Sequence, residues 1–114
     1  MRESDIVTLH IALNNETRDF ITEKDFALMK QNSVLINTAR GPVVNEMALA
    51  NALKEGKIAG AATDVYGTEP PLKPENPLFD APNLVMLPHI GFATEEAFIL
   101  RLGIVVNNVK NWLK

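Results

Sequence analysis

Three polar side chains able to do chemistry, Arg40, Glu69 and His89, stand at or just beyond the ends of strand-like segments. The arginine has a planar fork of donors that grips a carboxylate at two points. Histidine is the side chain that exchanges a proton with a carbonyl or hydroxyl oxygen near neutrality. A glutamate beside it can hold the imidazole and attract its proton. Proton transfer to an oxygen next to a bound carboxylate is half of the reduction of a 2-oxo acid, and a nicotinamide cofactor supplies the hydride for the other half. Each residue alone has a simpler account. A strand-end arginine is usually a surface charge, a single histidine is as often structural as catalytic, and Glu69 between Thr68 and Pro70 fits a solvated turn. Asp64 fits a cap on backbone amides in its turn, and His10, inside a strand pattern, reads as structural. Their convergence on one edge of the sheet is what favours chemistry.

That convergence depends on the elements that carry them. Asp5 to Ile11 reads as a buried strand, Ser33 to Thr38 as a second, Ile58 to Val65 as a third rich in small residues, and Asn83 to Leu87 as a fourth stopped by Pro88. Thr22 and Asp25 form a variant capping box that opens a helix through about Lys30. Asn45 can cap a helix ending near Gly56. Thr94, with Glu95 and Glu96 in the first turn, starts a last helix on which Phe98, Leu102, Val105, Val109 and Trp112 share one apolar face. The prolines between Pro70 and Pro82 preclude regular structure and mark a long functional loop. Continuous apolar strands alternating with helices predict an α/β fold, with a parallel sheet of about four strands covered on both faces. Ligands of such sheets bind at the carboxyl ends of the strands. His10, Thr38-Ala39-Arg40-Gly41, Asp64 with Glu69 beyond it, and His89-Ile90-Gly91 are all expected there.

Bulk properties restrict the alternatives. The chain has 114 residues, 46% hydrophobic and 22% charged, which suits one ordered domain and argues against disorder. A net charge of −3 with scattered lysines offers no nucleic-acid surface. No apolar run approaches the roughly 20 residues that span a bilayer. Without cysteine there is neither a disulfide framework nor a thiolate metal site. The opening Met1-Arg2-Glu3-Ser4-Asp5 lacks the apolar core of a signal peptide, so the cytoplasm is the expected compartment. A flavodoxin-like or response-regulator-like protein predicts acidic residues at the first strand end, where Leu9-His10-Ile11 stand instead.

The segments SDIVTLHIALNNETRDFI, SVLINTARGPVVNEMALANALKEGKIAGAATDVYGTEPP and NLVMLPHIGFATEEA resemble the D-isomer-specific 2-hydroxyacid dehydrogenases. They match in that family's order and cover nearly the whole chain. The resemblance implies that Arg40 binds the substrate carboxylate, His89 is the acid–base group and Glu69 is its partner. It places Asp64 near the nicotinamide carboxamide, and Thr38, Ala39, His10 and Gly91 in the lining of the cofactor pocket. The stretch from TEPP to Arg101-Leu102 looks most like glycerate dehydrogenase or hydroxypyruvate reductase, with phosphoglycerate dehydrogenase and broader 2-oxoacid reductases close behind. Most members have Pro at the place of Ala12, Asp at Asn45, often Glu at Gly67 and a second Gly or another residue at Phe92. None of these changes removes a catalytic group.

The glycines stand only at 41, 56, 60, 67, 91 and 103, so no G-x-G-x-x-G can be written. That loop, with its helix N-terminus, holds the cofactor pyrophosphate. Residues 1–114 are therefore expected to form the C-terminal part of a dinucleotide-binding domain for NAD or NADP, without the phosphate-binding half or a substrate domain. The expected partners are a small 2-oxo or 2-hydroxy acid and further copies of the chain, with no nucleic acid and no membrane. Two expectations follow: weak cofactor binding with poor turnover by these residues alone, and an unpaired edge on strand 5–11 that favours self-association. An inactive module that oligomerises or binds a partner is the competing reading.

Overall fold

The computed structural model describes residues 1–69 and 71–114. Pro70, counted above in the proline-rich stretch, lies outside the described residues. Four parallel strands, β1 (Ile6–Leu9), β2 (Val34–Asn37), β3 (Gly60–Thr63) and β4 (Leu84–Met86), lie side by side in chain order. Ile6 pairs with Val34 and Val34 with Gly60; Thr63 pairs with Met86. Sequential order makes every crossover lead to the neighbouring strand, and the parallel pairing of all four brings their carboxyl ends to one edge.

The helices are α1 (Glu23–Phe26), α2 (Glu46–Lys54) and α3 (Glu95–Trp112). The Asp25 carboxylate accepts from the Thr22 amide and hydroxyl, both at 2.9 Å, as the capping pattern requires. The helix nonetheless stops at Phe26, one turn rather than the run to Lys30 that the sequence suggests. Phe26 and Met29 drop into the core there, and the Leu28 and Met29 amides close tight turns back to Asp25 and Phe26. In α2 the Asn45 side chain accepts from the Ala48 amide at 3.0 Å, and Gly56 takes the left-handed φ of +64° just past the end.

The core lies on one side of the sheet. Leu9, Leu35 and Ala61 pack with Ala48, Leu49, Ala52 and Leu53 of α2 and with Ile21, Phe26 and Val43. The period of two puts Ile6, Thr8, Val34, Ile36, Ala62 and Val85 on the opposite face. Among the described residues no element buries that face: Ile6 is 63% exposed and Val85 58%. This corrects two expectations, a sheet covered on both faces and a buried first strand. Apolar strand runs show that a face suits burial, but not what buries it. β1 is an edge strand paired only to β2.

The last helix starts at Thr94, whose hydroxyl accepts from the Ala97 amide at 3.2 Å, but none of its residues is buried. Among the described residues its expected apolar face meets little: Phe98 lies edge to face with Phe92 at 6.2 Å, and Phe98, Leu102, Val105, Val109 and Trp112 are all more than half exposed. The radius of gyration, 17.1 Å, exceeds the roughly 13 Å of a compact chain of this length, and the longest dimension is 59 Å. The proline-rich stretch also departs from expectation, for Pro77–Asp80 form a 3-10 turn capped by the Asn76 side chain on the Leu78 amide at 2.9 Å. Proline suits such a first turn, where its missing donor leaves no bond unmade. Among the described residues, no helix is long and apolar enough to cross a membrane.

Candidate active site at the carboxyl edge of the sheet

Side chains at the strand ends shape the turns that carry the candidate groups. Asn37, the last residue of β2, accepts from the Ala39 amide and donates to the Arg40 carbonyl, both at 3.1 Å. This presents Thr38 and Arg40 outward and buries Ala39. Its register partner Thr63, the last residue of β3, donates to the Val65 carbonyl at 2.7 Å. The two loops then touch. A Cβ at Gly41 would overlap the backbone of Tyr66, so the residue after Arg40 must be glycine for the loop of Arg40 to lie against the loop of Glu69.

His89 carries a positive φ, +56°, a conformation costly for a residue with a side chain. Asp64, only 3% exposed, stabilises it. One Asp64 oxygen accepts from the Ile90 amide at 2.9 Å and the other from the Gly91 amide at 2.6 Å. Asp64 thus caps backbone amides, as its simpler account has it, but those of the loop after β4 and not of its own turn. Each oxygen retains a second lone pair for a ligand. A Cβ at Gly91 would come within 2.8 Å of that carboxylate.

The His89 imidazole, through Nδ1, is hydrogen-bonded to Oε2 of Glu69. The other Glu69 oxygen accepts from the Tyr66 amide at 2.5 Å. The side chains are 41% and 25% exposed respectively, so the pair is open to a ligand. With Nδ1 engaged, Nε2 is the nitrogen left to exchange a proton. Arg40 donates from Nη1 to the Ala39 carbonyl at 2.7 Å. Thr38, Arg40, Asp64, His89, Gly91 and Phe92 line one cavity of about 330 Å³. His10 joins Thr38, Ala39 and Arg40 around a neighbouring space of about 520 Å³ that extends along Ile11 to Leu13. His10 Nε2 is hydrogen-bonded to the Thr8 hydroxyl at 2.9 Å, which fits its structural reading. All eight residues singled out from the sequence thus lie along one edge.

Several residues of this edge escaped the sequence reading. Tyr66 donates its hydroxyl to the Leu87 carbonyl at 2.7 Å, linking the β3 and β4 loops. Burial, and then the nearby carboxylates of Asp64 and Glu69, push its phenol above the ordinary value. Glu46 bonds into the loop of Glu69, and no spacing rule forecasts that contact. Asn37 could have been found, since an asparagine two residues before a buried amide is a turn signature. Phe92, singled out only as a departure, presents its ring to His89 edge to face at 6.0 Å and has the Arg101 guanidinium 5.0 Å from its centroid.

The parallel sheet, with polar groups and glycine-dependent turns gathered at its carboxyl edge, defines an α/β ligand-binding unit of the dinucleotide-binding class. The chain belongs to the family described as D-isomer specific 2-hydroxyacid dehydrogenase, NAD binding domain, whose model matches residues 1–91. It is 53% identical over 97 residues to a glyoxylate reductase of Thermococcus litoralis, covering 85% of this chain and 29% of that one. It is 44% identical over 112 residues to a glycerate dehydrogenase of Methylorubrum extorquens, covering 96% and 35%. Among solved structures, a D-lactate dehydrogenase from Sporolactobacillus superposes with a TM-score of 0.91 at 38% identity, over 99% of this chain and 38% of the other. The chain spans about a third of the length of such relatives.

Proposed function

We propose that this chain supplies the carboxylate-binding and acid–base groups for NAD(P)-dependent interconversion of a 2-oxo acid and a D-2-hydroxy acid. The observation that carries this reading is the single cavity onto which Arg40 and the Glu69-paired His89 both open. Arg40 holds the substrate carboxylate, and this fixes the carbonyl oxygen toward His89 Nε2. His89 gives that oxygen a proton in reduction and takes it back in oxidation. Glu69 orients the ring through Nδ1 and balances its charge. Asp64, Thr38, Ala39, His10 and Gly91 border the space for the nicotinamide, which when bound supplies the hydride. This donor set fits such a group: an exposed hydroxyl at Thr38, carboxylate lone pairs at Asp64 and small residues at 39 and 91 that admit a flat ring.

Hydroxypyruvate, glyoxylate and phosphohydroxypyruvate are the proposed substrate types, in keeping with the names of the relatives. Residues 1–114 are read as the C-terminal part of a dinucleotide-binding domain, with the pyrophosphate held by groups outside the glycines present here. Cofactor binding and turnover by these residues alone are then weak. The test is titration with NADH, followed by nicotinamide fluorescence, with hydroxypyruvate turnover measured on the same sample. Weak binding without turnover is expected; tight binding with turnover would show that the 114 residues hold the cofactor unaided. The open sheet face, the β1 edge and α3 support self-association as a second property, and a strictly monomeric chain in light scattering would contradict it.

A further inference from the structure

Glu46 is the first residue of α2, and its carboxylate points away from the helix into the loop that carries Glu69. Oε1 accepts from the Gly67 amide at 2.6 Å, and Oε2 accepts from the Asn76 side-chain amide at 2.9 Å. One carboxylate thus ties together residues 67 and 76, on either side of the loop containing Glu69. The Gly67 amide follows directly on Tyr66, whose own amide donates to Glu69. Asn76 in turn caps the Pro77–Asp80 turn. A Cβ at Gly67 would stand 3.3 Å from Glu46 Oε1, so glycine there leaves the carboxylate room to make the bond. The path from α2 to the imidazole is short and continuous: Glu46 to the Gly67 amide, along one peptide to the Tyr66 amide, to the Glu69 carboxylate, to His89.

We propose that Glu46 is a positioning residue for the acid–base pair, fixing the 66–69 backbone so that the Glu69 carboxylate meets His89 Nδ1. The proposal rests on the reading of Glu69 and His89 as that pair. The competing explanation is purely structural, a negative charge favoured in the first turn of α2. Two substitutions separate them. Glu46→Asp keeps the charge in the first turn but is one methylene too short to reach Gly67. Glu46→Gln discards the charge and the oxygen that accepts from Asn76, but keeps the one that accepts from the Gly67 amide.

The experiment is amide hydrogen exchange and imidazole ¹⁵N spectroscopy on the chain and on Glu46→Asp, Glu46→Gln and Glu69→Gln. Glu46→Asp should lower protection of the Gly67 and Tyr66 amides by about tenfold and leave the Ala48 amide at the α2 cap unchanged. It should also move the His89 ring signals toward those of Glu69→Gln, with His10 as internal control. Glu46→Gln should keep both protections and the His89 signals near those of the parent. The reverse pattern, rescue by Asp and failure by Gln, would overturn the proposal in favour of a helix-end charge. Unmoved His89 signals in Glu46→Asp, with moved ones in Glu69→Gln, would also overturn it and leave the pair intact. Unmoved signals in Glu69→Gln would remove the pair itself, and the positioning role with it.

Discussion

The helices α2 and α3 both carry apolar residues at helical spacing, yet α2 buries Ala48, Leu49, Ala50, Ala52 and Leu53 while α3 buries nothing. The sheet divides in the same way, with Leu35 fully buried on the α2 side and Val85 largely exposed on the other. The difference lies in neighbours, not in residue type. α2 follows β2 directly and returns the chain to β3, so its apolar face meets the sheet it connects. α3 follows β4, and among the described residues no strand comes after it. The candidate site belongs mainly to the supported half: its turns are shaped by Asn37, Thr63 and Asp64 at the ends of packed strands, and Glu46 and Tyr66 tie its loops together, while α3 reaches it through Arg101 and Phe98 against Phe92.

The contrast can be broken most forcefully at Gly41. A valine there must push against the Tyr66 backbone, and a loss of about 3 kcal/mol or more in denaturant unfolding is expected. A loss near zero would mean that the two loops are not in contact. Paired truncations measure the contrast itself. Leu35→Ala should cost about 2–5 kcal/mol, while Leu102→Ala on α3, 65% exposed, should fall within about 0.5 kcal/mol. An equal cost at Leu102, growing with protein concentration, would place a second copy over α3. The lone tryptophan, Trp112, then supplies a fluorescence reading of the same event.

A modest effect is expected at Tyr66. Tyr66→Phe removes the bond to the Leu87 carbonyl, at about 1 kcal/mol. Its phenol is raised in the folded chain, so the stabilising contribution is complete below the unfolded value near pH 10 and is lost as pH rises through the folded one. The wild-type chain should therefore lose stability above about pH 10 more steeply than Tyr66→Phe. Tyr66 is the single tyrosine, so tyrosinate absorbance reads its ionisation directly. Parallel slopes for the two proteins would contradict the assignment.

Element order, the parallel sheet and the gathering of Arg40, Glu69 and His89 at one edge were legible because each rests on local pattern: strand runs, Asn45 and Thr94 as caps, and the rule that places ligands at carboxyl ends. Burial was not legible, since Ile6 and Phe98 look like core residues until one asks what lies over them. The α1 boundary failed for a related reason. Phe26 and Met29 turn inward where propensity alone would extend the helix. In the candidate site, the sequence identified residues that line the strand-end cavities, Asp64 among them, but missed Asn37, Glu46 and Tyr66, which tie the loops together. Glu46 lies 23 positions before Glu69 and acts through backbone amides, which carry no sequence signature.

The central claim is that the strand ends form one carboxylate-binding, proton-donating site, and the most direct test is titration of the isotopically labelled chain with oxamate, a 2-oxo acid mimic, with and without NADH. The account predicts amide shift changes confined to residues 38–40, 64–69 and 89–92, joined by His10 when NADH is present, and loss of the oxamate-induced changes in Arg40→Lys, which cannot make the two-point contact. Changes clustered at the opposite ends of the strands or along α3, or binding unaltered in Arg40→Lys, would contradict it.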